Sequence, residues 1–170
     1  MRSMMRAIRP ALSRIIASGL AAALFPIGAV AQSISLSGLD GQSAVVSAAE
    51  VAAMPHVTLT ARVEGQTHAW RGVPLSDLLA KVGAPAGPAL RGKELADVVL
   101  VQARDGYVVA LALAETDPAV RKDQILLADS VDGHALPDTA GPFRLVVEGD
   151  QRGARLARMV SAITLRRVTP

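Results

Sequence analysis

The 170-residue sequence contains no cysteine and very few aromatic residues: one tryptophan, one tyrosine and two phenylalanines. Without cysteine the chain can form no disulfide bond and offers no thiolate to a metal, so its stability depends on packing. The phosphate-binding pattern Gly-x-x-x-x-Gly-Lys and the hydrolase pattern Gly-x-Ser-x-Gly are also missing. The sequence therefore carries no local signature of a nucleotide-binding protein or a serine hydrolase.

The first 31 residues have the pattern of a cleaved secretory signal. Four arginines precede an apolar run from Ile15 to Val30, and Ala29-Val30-Ala31 is a small-x-small cleavage site. The run is too short, and its side chains are too small, for a stable transmembrane helix, which needs about 20 strongly apolar residues. The cleavage site favours removal of residues 1–31 over an uncleaved anchor. We expect one mature domain, residues 32–170, in the bacterial periplasm.

The positive charge of the chain is concentrated in this predicted signal. The whole sequence has 18 basic and 15 acidic side chains, but residues 1–31 hold four of the arginines and no acid. The remaining 14 basic and 15 acidic side chains give the predicted mature domain a net charge of −1. The basic isoelectric point is therefore no argument for nucleic-acid binding.

The remaining sequence predicts a mixed, mostly β domain with two or three short helices. Ser47-x-x-Glu50 is a capping box for a short helix that ends before Pro55. Leucines after Pro74 share one face of a second helix, which Gly83 ends. Asp105-Gly106 lies between two apolar runs, an arrangement typical of a β-hairpin.

Few residues qualify for catalysis or metal binding on sequence grounds. His56, His68 and His134 have no metal-ligand spacing, and we expect all three in solvated turns. Aspartate is common at turns because its side chain hydrogen-bonds to the nearby backbone. No pair of aspartates is singled out for general acid–base catalysis.

Three aromatic residues and one basic segment are better candidates for a ligand site. Trp70 and Tyr107 carry polar tips at the ends of elements, whereas Phe143 begins an apolar strand and is predicted to lie in the core. The segment "GDQRGARLAR" supplies Arg152, Arg155 and Arg158. These arginines form either a solvated basic edge or a rim that faces an anion.

Several segments together resemble the molybdopterin-binding domain of the sulfite oxidase family. They are "VTLTARVEG", "WRGVPLSDLLAKVGA", "VQARDGYVVALALAE", "ILLADSVDGHALPDTAGPFRLVVEGD" and "VSAITLRR". The resemblance spans nearly all of residues 32–170 and implies a compact mixed α+β fold with mostly antiparallel sheet and a few short helices. Enzymes of the family bind molybdenum through a cysteine near the end of the early strand, where this sequence has Arg62, give or take one residue. A guanidinium cannot replace a thiolate as a metal ligand.

Small periplasmic members that lack this cysteine are similar to pterin-binding regulators of membrane-bound cyclic di-GMP enzymes. The resemblance implies a pterin as ligand, no metal, no catalysis, and the periplasmic domain of such a membrane enzyme as partner. A molybdopterin-dependent oxidoreductase and an interaction domain with a decayed pocket are the alternatives.

The expected roles of the site residues follow from the chemistry of a pterin, which is flat and edged with donors and acceptors. Trp70 and Tyr107 would stack on the ring, and Asp105 or Asp150 would accept a pair of hydrogen bonds from the aminopyrimidine edge. The carbonyl oxygen would accept from one of three arginines: Arg62, Arg144 or Arg152. Burial of Trp70 in the core is the competing interpretation.

Overall fold

The computed structural model describes residues 32–63 and 65–168, so the predicted signal at residues 1–31 lies outside the described residues. The described strands are β1 (Ser33–Ser37), β2 (Ser43–Ser47), β3 (Val57–Val63), β4 (Gln66–Pro74), β5 (Val98–Ala103), β6 (Val108–Ala112), β7 (Ile125–Val131), β8 (His134–Ala135), β9 (Arg144–Val147) and β10 (Val160–Arg166). The α-helices are α1 (Ala48–Ala53) and α2 (Leu75–Ala80), and four short 3₁₀ helices lie at Gly87–Ala89, Gly92–Ala96, Leu113–Thr116 and Gly153–Arg155.

The strands form two five-stranded sheets. The first has the order β2-β1-β10-β5-β6, in which only the β1–β10 pair is parallel. The second has the order β3-β4-β7-β8, with β9 paired to β7, and all of its pairs are antiparallel. This arrangement confirms the predicted α+β class with mostly antiparallel sheet.

Apolar side chains cover both faces of the second sheet. Leu127 and Leu145 point into the main core, which both sheets and α2 share. On the opposite face, Trp70, Ala128 and Val146 belong to a second, smaller apolar cluster. The alternation of side chains along each strand places one set on each face. The second sheet is thus buried on both sides, and its outer cluster forms the base of the candidate site described below.

The local patterns of the sequence correspond to the observed elements. Ser47 caps α1 by accepting from the Glu50 amide, and the Glu50 carboxylate accepts from the Ser47 amide, which completes the capping box. Gly106 has φ +86° at the turn between β5 and β6, as the hairpin prediction requires. Phe143 is 1% exposed in the main core, so its predicted core position is also confirmed. Within the described ranges, no helix combines the length and apolar character needed to cross a membrane.

A β-bulge sets the geometry where β4 meets β7. Arg71 pairs with Ser130 but Gly72 pairs with Ala128, so Asp129 is the extra residue on β7. A Cβ atom on Gly72 would lie 2.2 Å from the Leu127 carbonyl oxygen, which only glycine avoids.

The bulge also explains why the expectation of a solvated His56 is wrong. The His56 side chain is only 3% exposed, and its Nε2 lies 2.8 Å from a carboxylate oxygen of Asp129. Its Nδ1 lies 2.7 Å from the Met54 carbonyl oxygen. The bulge turns Asp129 toward the start of β3, where its carboxylate satisfies a buried imidazole that would otherwise be costly to bury.

Candidate functional site

A basic groove opens on the outer face of the second sheet, beside the β3–β4 hairpin. It consists of two adjoining cavities of about 410 Å³ and 470 Å³, which share Val63, Arg144 and Arg158 as lining residues. We name it the arginine groove and define it by Arg62, Val63, His68, Trp70, Asp132, Arg144, Arg152 and Arg158. Such a volume is of the size that small-molecule ligands occupy.

Trp70 forms part of the floor of the arginine groove. It lies on β4 between Leu59 and Val131, and is 3% exposed in the outer apolar cluster. Its indole Nε1 is buried and has no hydrogen-bond partner among the described residues. A buried donor without an acceptor is rare in native proteins, so this N–H indicates an acceptor supplied from outside the described chain. Both sequence interpretations of Trp70, core residue and pocket residue, therefore apply to it.

Arg144 covers one face of the Trp70 ring. It begins β9, and its guanidinium carbon lies 5.0 Å from the centroid of the indole ring. A guanidinium over a tryptophan face is a favourable cation–π arrangement. A planar ligand would therefore meet the guanidinium of Arg144 on this side, rather than the bare indole face that we expected it to stack on.

Three more arginines complete the positive wall of the groove. Arg62, the second-last residue of β3, is exposed and donates from Nε to the Gly65 carbonyl oxygen at 3.0 Å. Arg152 and Arg158 approach from the segment between β9 and β10. Of the three arginines of the predicted basic segment, Arg152 and Arg158 line the groove and Arg155 does not. Four guanidinium groups around one groove favour an anionic or oxygen-rich ligand.

His68 and Asp132 form a pair on the same floor, and sequence reasoning missed both. His68 lies two residues before Trp70 on β4, so both side chains point to the same face. Its Nδ1 is 2.7 Å from Asp132 Oδ2, and the Asp132 Oδ1 accepts from the Ala69 amide at 2.9 Å. The hydrogen bonds from His68 and Ala69 hold the pKa of the Asp132 carboxyl below its ordinary value. The expected solvated turn is thus wrong for His68, because β4 extends through it.

The other three predicted site residues lie outside the arginine groove. Asp105 closes the β5–β6 turn by accepting from the Tyr107 amide at 2.9 Å. The Tyr107 hydroxyl donates to the Ala154 carbonyl oxygen at 2.5 Å, and the side chain is half exposed. Asp150 accepts from the Arg155 Nε at 2.9 Å, and this contact raises the pKa of Arg155. Each of these three side chains makes a hydrogen bond within the protein, and its contact with a ligand stays a prediction.

The arginine groove suits the organic part of a molybdenum cofactor but not its usual attachment through a thiolate. The orphan Trp70 N–H and the arginines can bind carbonyl and phosphate oxygens. Where the early strand ends, however, the side chains are Arg62 and Val63, and the sequence has no cysteine. Among the described residues, no cluster of three His, Asp or Glu side chains could hold a metal ion.

A larger cavity of about 790 Å³ opens on the other face of the second sheet, at its end. Arg71, Arg104 and Asp129 line it, and it contains none of the predicted site residues. Asp129 is already engaged by the buried His56. We take the arginine groove as the candidate site because a buried donor there lacks an acceptor.

The two sheets and the basic groove define a small α+β domain of the cofactor-binding class. The chain belongs to the family of oxidoreductase molybdopterin-binding domains, whose family model matches residues 30–169. A comparison with curated proteins found no match. Among solved structures, the sulfane dehydrogenase SoxCD from Paracoccus pantotrophus is similar, with 21% identity and a TM-score of 0.61. The match covers 80% of this chain and 39% of the SoxCD chain, and at this identity it shows the fold alone.

Proposed function

We propose that this protein is a pterin-binding receptor that holds its ligand in the arginine groove and has no catalytic activity of its own. The observation that carries the proposal is the buried Trp70 N–H without an acceptor, located beneath Arg144 on the floor of a groove of ligand size. Membership of the molybdopterin-binding family supports a pterin-type ligand. The lack of any cysteine argues against the family's metal chemistry.

The side chains of the groove match the chemistry of a pterin. The guanidinium of Arg144 is planar and lies over the Trp70 ring, and such a group can stack on a flat heterocycle. Arginine N–H groups at Arg62, Arg152 and Arg158 donate to the ring carbonyl or to an anionic substituent. His68 supplies the ring nitrogen that can accept a hydrogen bond.

We further propose that the protein acts in the periplasm and transmits the state of the groove to a membrane-bound cyclic di-GMP enzyme. Two sequence features support this proposal: the signal-like pattern of residues 1–31 and the resemblance to small pterin-binding regulators. The partner would be the periplasmic domain of that enzyme. Co-purification of the two proteins with pterin, and not without it, is the expected result.

The direct test is mass spectrometry of small molecules released from protein purified from its native compartment. We expect a pterin in the extract and tight uptake of added pterin, followed by its fluorescence. Arg144→Ala should weaken binding at least about tenfold, because it removes a charge-assisted donor and the stacking surface. Arg104→Ala, an exposed arginine outside the groove, is the matched control and should bind as the parent does.

A molybdopterin-dependent oxidoreductase is the second candidate, favoured by family membership. When bound, a molybdenum cofactor would supply two-electron redox chemistry, and the groove arginines would hold its pterin and phosphate oxygens. Metal analysis of the native protein separates the candidates. Stoichiometric molybdenum would overturn the receptor proposal, whereas pterin without molybdenum would support it. Protein that binds neither but retains its membrane partner would indicate an interaction domain with a decayed pocket.

A further inference from the structure

We propose that His68, positioned by Asp132, is the acceptor that selects ligands in the arginine groove. It would accept a hydrogen bond from a ring N–H of the bound heterocycle. The ligand class that fits is a planar heterocycle with an unsubstituted lactam edge, in which an N–H stands beside a carbonyl. This inference rests on the proposed function and deepens it, because it identifies which edge of the ligand the protein recognises by a hydrogen bond.

The Asp132 carboxylate is held firmly in place. One oxygen is 2.7 Å from His68 Nδ1 and the other accepts from the Ala69 amide at 2.9 Å. The Asp132 amide donates in turn to the Ala69 carbonyl oxygen at 2.8 Å. Asp132 has φ +49° in a tight turn followed by Gly133, a conformation that aspartate and asparagine tolerate better than most residues. The loop after β7 and the strand β4 therefore fix the carboxylate from both sides.

This contact decides which nitrogen of the imidazole can accept. A carboxylate only accepts hydrogen bonds, so Nδ1 of His68 carries the proton that it shares with Asp132. In the neutral ring, Nε2 is then an acceptor, and it has no hydrogen-bond partner among the described residues. The ring packs edge-on against Trp70, with the centroids 5.9 Å apart and the planes at 70°. Its side chain is 27% exposed and lines the 410 Å³ cavity, so a ligand can reach it.

The neighbouring groups explain why an acceptor matters here. The Trp70 N–H and the guanidinium groups of Arg144 and Arg158 can only donate. They suit the carbonyl of a lactam but leave its N–H without a partner. Gln66 and Thr139 also line the cavity, but within residues 32–63 and 65–168 no hydrogen bond to a charged side chain is found for either of them. His68 is therefore the acceptor whose geometry is set before the ligand arrives.

Acidification should switch this acceptor off. Protonated histidine donates from both nitrogens, so His68 can no longer accept the ligand N–H. The charged and titratable groups that face it are Asp132, His134, Arg144 and Arg158. Ligand affinity should therefore be lower when the imidazole is protonated than when it is neutral.

The test compares pterin with N3-methylpterin, whose lactam nitrogen carries no hydrogen. The protein should prefer pterin by roughly tenfold near neutral pH, the effect of one buried hydrogen bond. His68→Leu, similar in size but without an acceptor, should lose both the preference and the pH dependence. His68→Gln restores an acceptor that does not titrate, so it should keep the preference across the pH range. Arg104→Ala, an exposed residue outside the arginine groove, is the control and should behave as the parent.

Two further measurements keep the outcomes distinct. Asp132→Asn tolerates the same turn but frees the imidazole to carry its proton on Nε2, so it should reduce the preference while circular dichroism stays unchanged. If the parent and His68→Leu prefer pterin equally, this inference is overturned and pterin binding stands. If the parent binds neither compound, the proposed function fails and this inference fails with it.

Discussion

Trp70 combines a packing role and a recognition role in one side chain. Its ring fills the outer apolar cluster and supports Arg144, while its buried N–H lacks an acceptor. A protein that needed only the packing could use phenylalanine at this position and avoid the unsatisfied donor. A water molecule or a ligand in the groove can supply the missing acceptor, and the proposed function assigns this place to the ligand.

Replacing Trp70 with phenylalanine should separate these two roles. Trp70→Phe keeps an aromatic ring and removes the orphan N–H, so we expect the free energy of unfolding to change by less than about 2 kcal/mol. Pterin affinity should fall several-fold, because the ligand loses its donor. Urea unfolding and a pterin titration check the two effects.

Trp70→Ala is the informative comparison. Truncating a buried tryptophan costs about 3–5 kcal/mol, so lost binding in that variant would partly report lost structure. Unchanged pterin affinity in Trp70→Phe would show that the indole N–H does not contact the ligand.

At the scale of single elements, local sequence signals were sufficient to predict the β5–β6 hairpin and the presence of α1 and α2, although α2 ends at Ala80, before Gly83. The capping box at Ser47 and the Asp105-Gly106 turn are contiguous patterns whose hydrogen bonds close within a few residues. The bulge at Asp129 has no such signal, because it depends on the register between β4 and a strand more than 50 residues away. The buried His56 was missed for the same reason.

The β4–β7 contact should be intolerant of any side chain at Gly72. In Gly72→Ala, the new Cβ would lie 2.2 Å from the Leu127 carbonyl oxygen and 2.5 Å from the Ala128 Cα, so the strands must shift. We expect a loss of about 1–3 kcal/mol in the free energy of unfolding, and a displaced Trp70 that binds pterin more weakly. Chemical denaturation and pterin titration measure both.

Gly153→Ala provides the control for this substitution. A Cβ at Gly153 would meet Leu156 Cδ1 at 3.5 Å, an ordinary contact, and the residue lies in a short 3₁₀ helix. We expect a change within about 0.5 kcal/mol. Equal effects of the two substitutions would contradict the close-approach explanation for Gly72.

For the whole molecule, export should change the charge as well as the length. Removal of residues 1–31 takes away four arginines and no acid, which turns a net charge of +3 into −1. We expect intact-mass analysis of the native protein to show a chain that begins at Gln32, and the protein to migrate as a weak anion near neutral pH. A native chain that retains its first residues would contradict the proposed cleavage and favour the anchor alternative.

The whole molecule also determines which predicted site residues meet. Trp70, Arg62, Arg144 and Arg152 come from separate segments and converge on one groove, because β9 pairs with β7 and β7 with β4. The family resemblance implied a pterin as ligand, but neither the resemblance nor composition and spacing located the groove. Tyr107, by contrast, lies on the first sheet's hairpin and packs its hydroxyl against Ala154.

The sequence by itself determined the class of the fold, the two short α-helices, the tight β5–β6 hairpin and the absence of a thiolate, since these depend on composition and neighbouring residues. The tertiary structure decided which side chains form the site. The contact of His68 with Asp132, 64 residues away, and the position of Arg144 over Trp70 depend on strand register across the second sheet. Register is set by long-range pairing and by a bulge, and no local pattern encodes either.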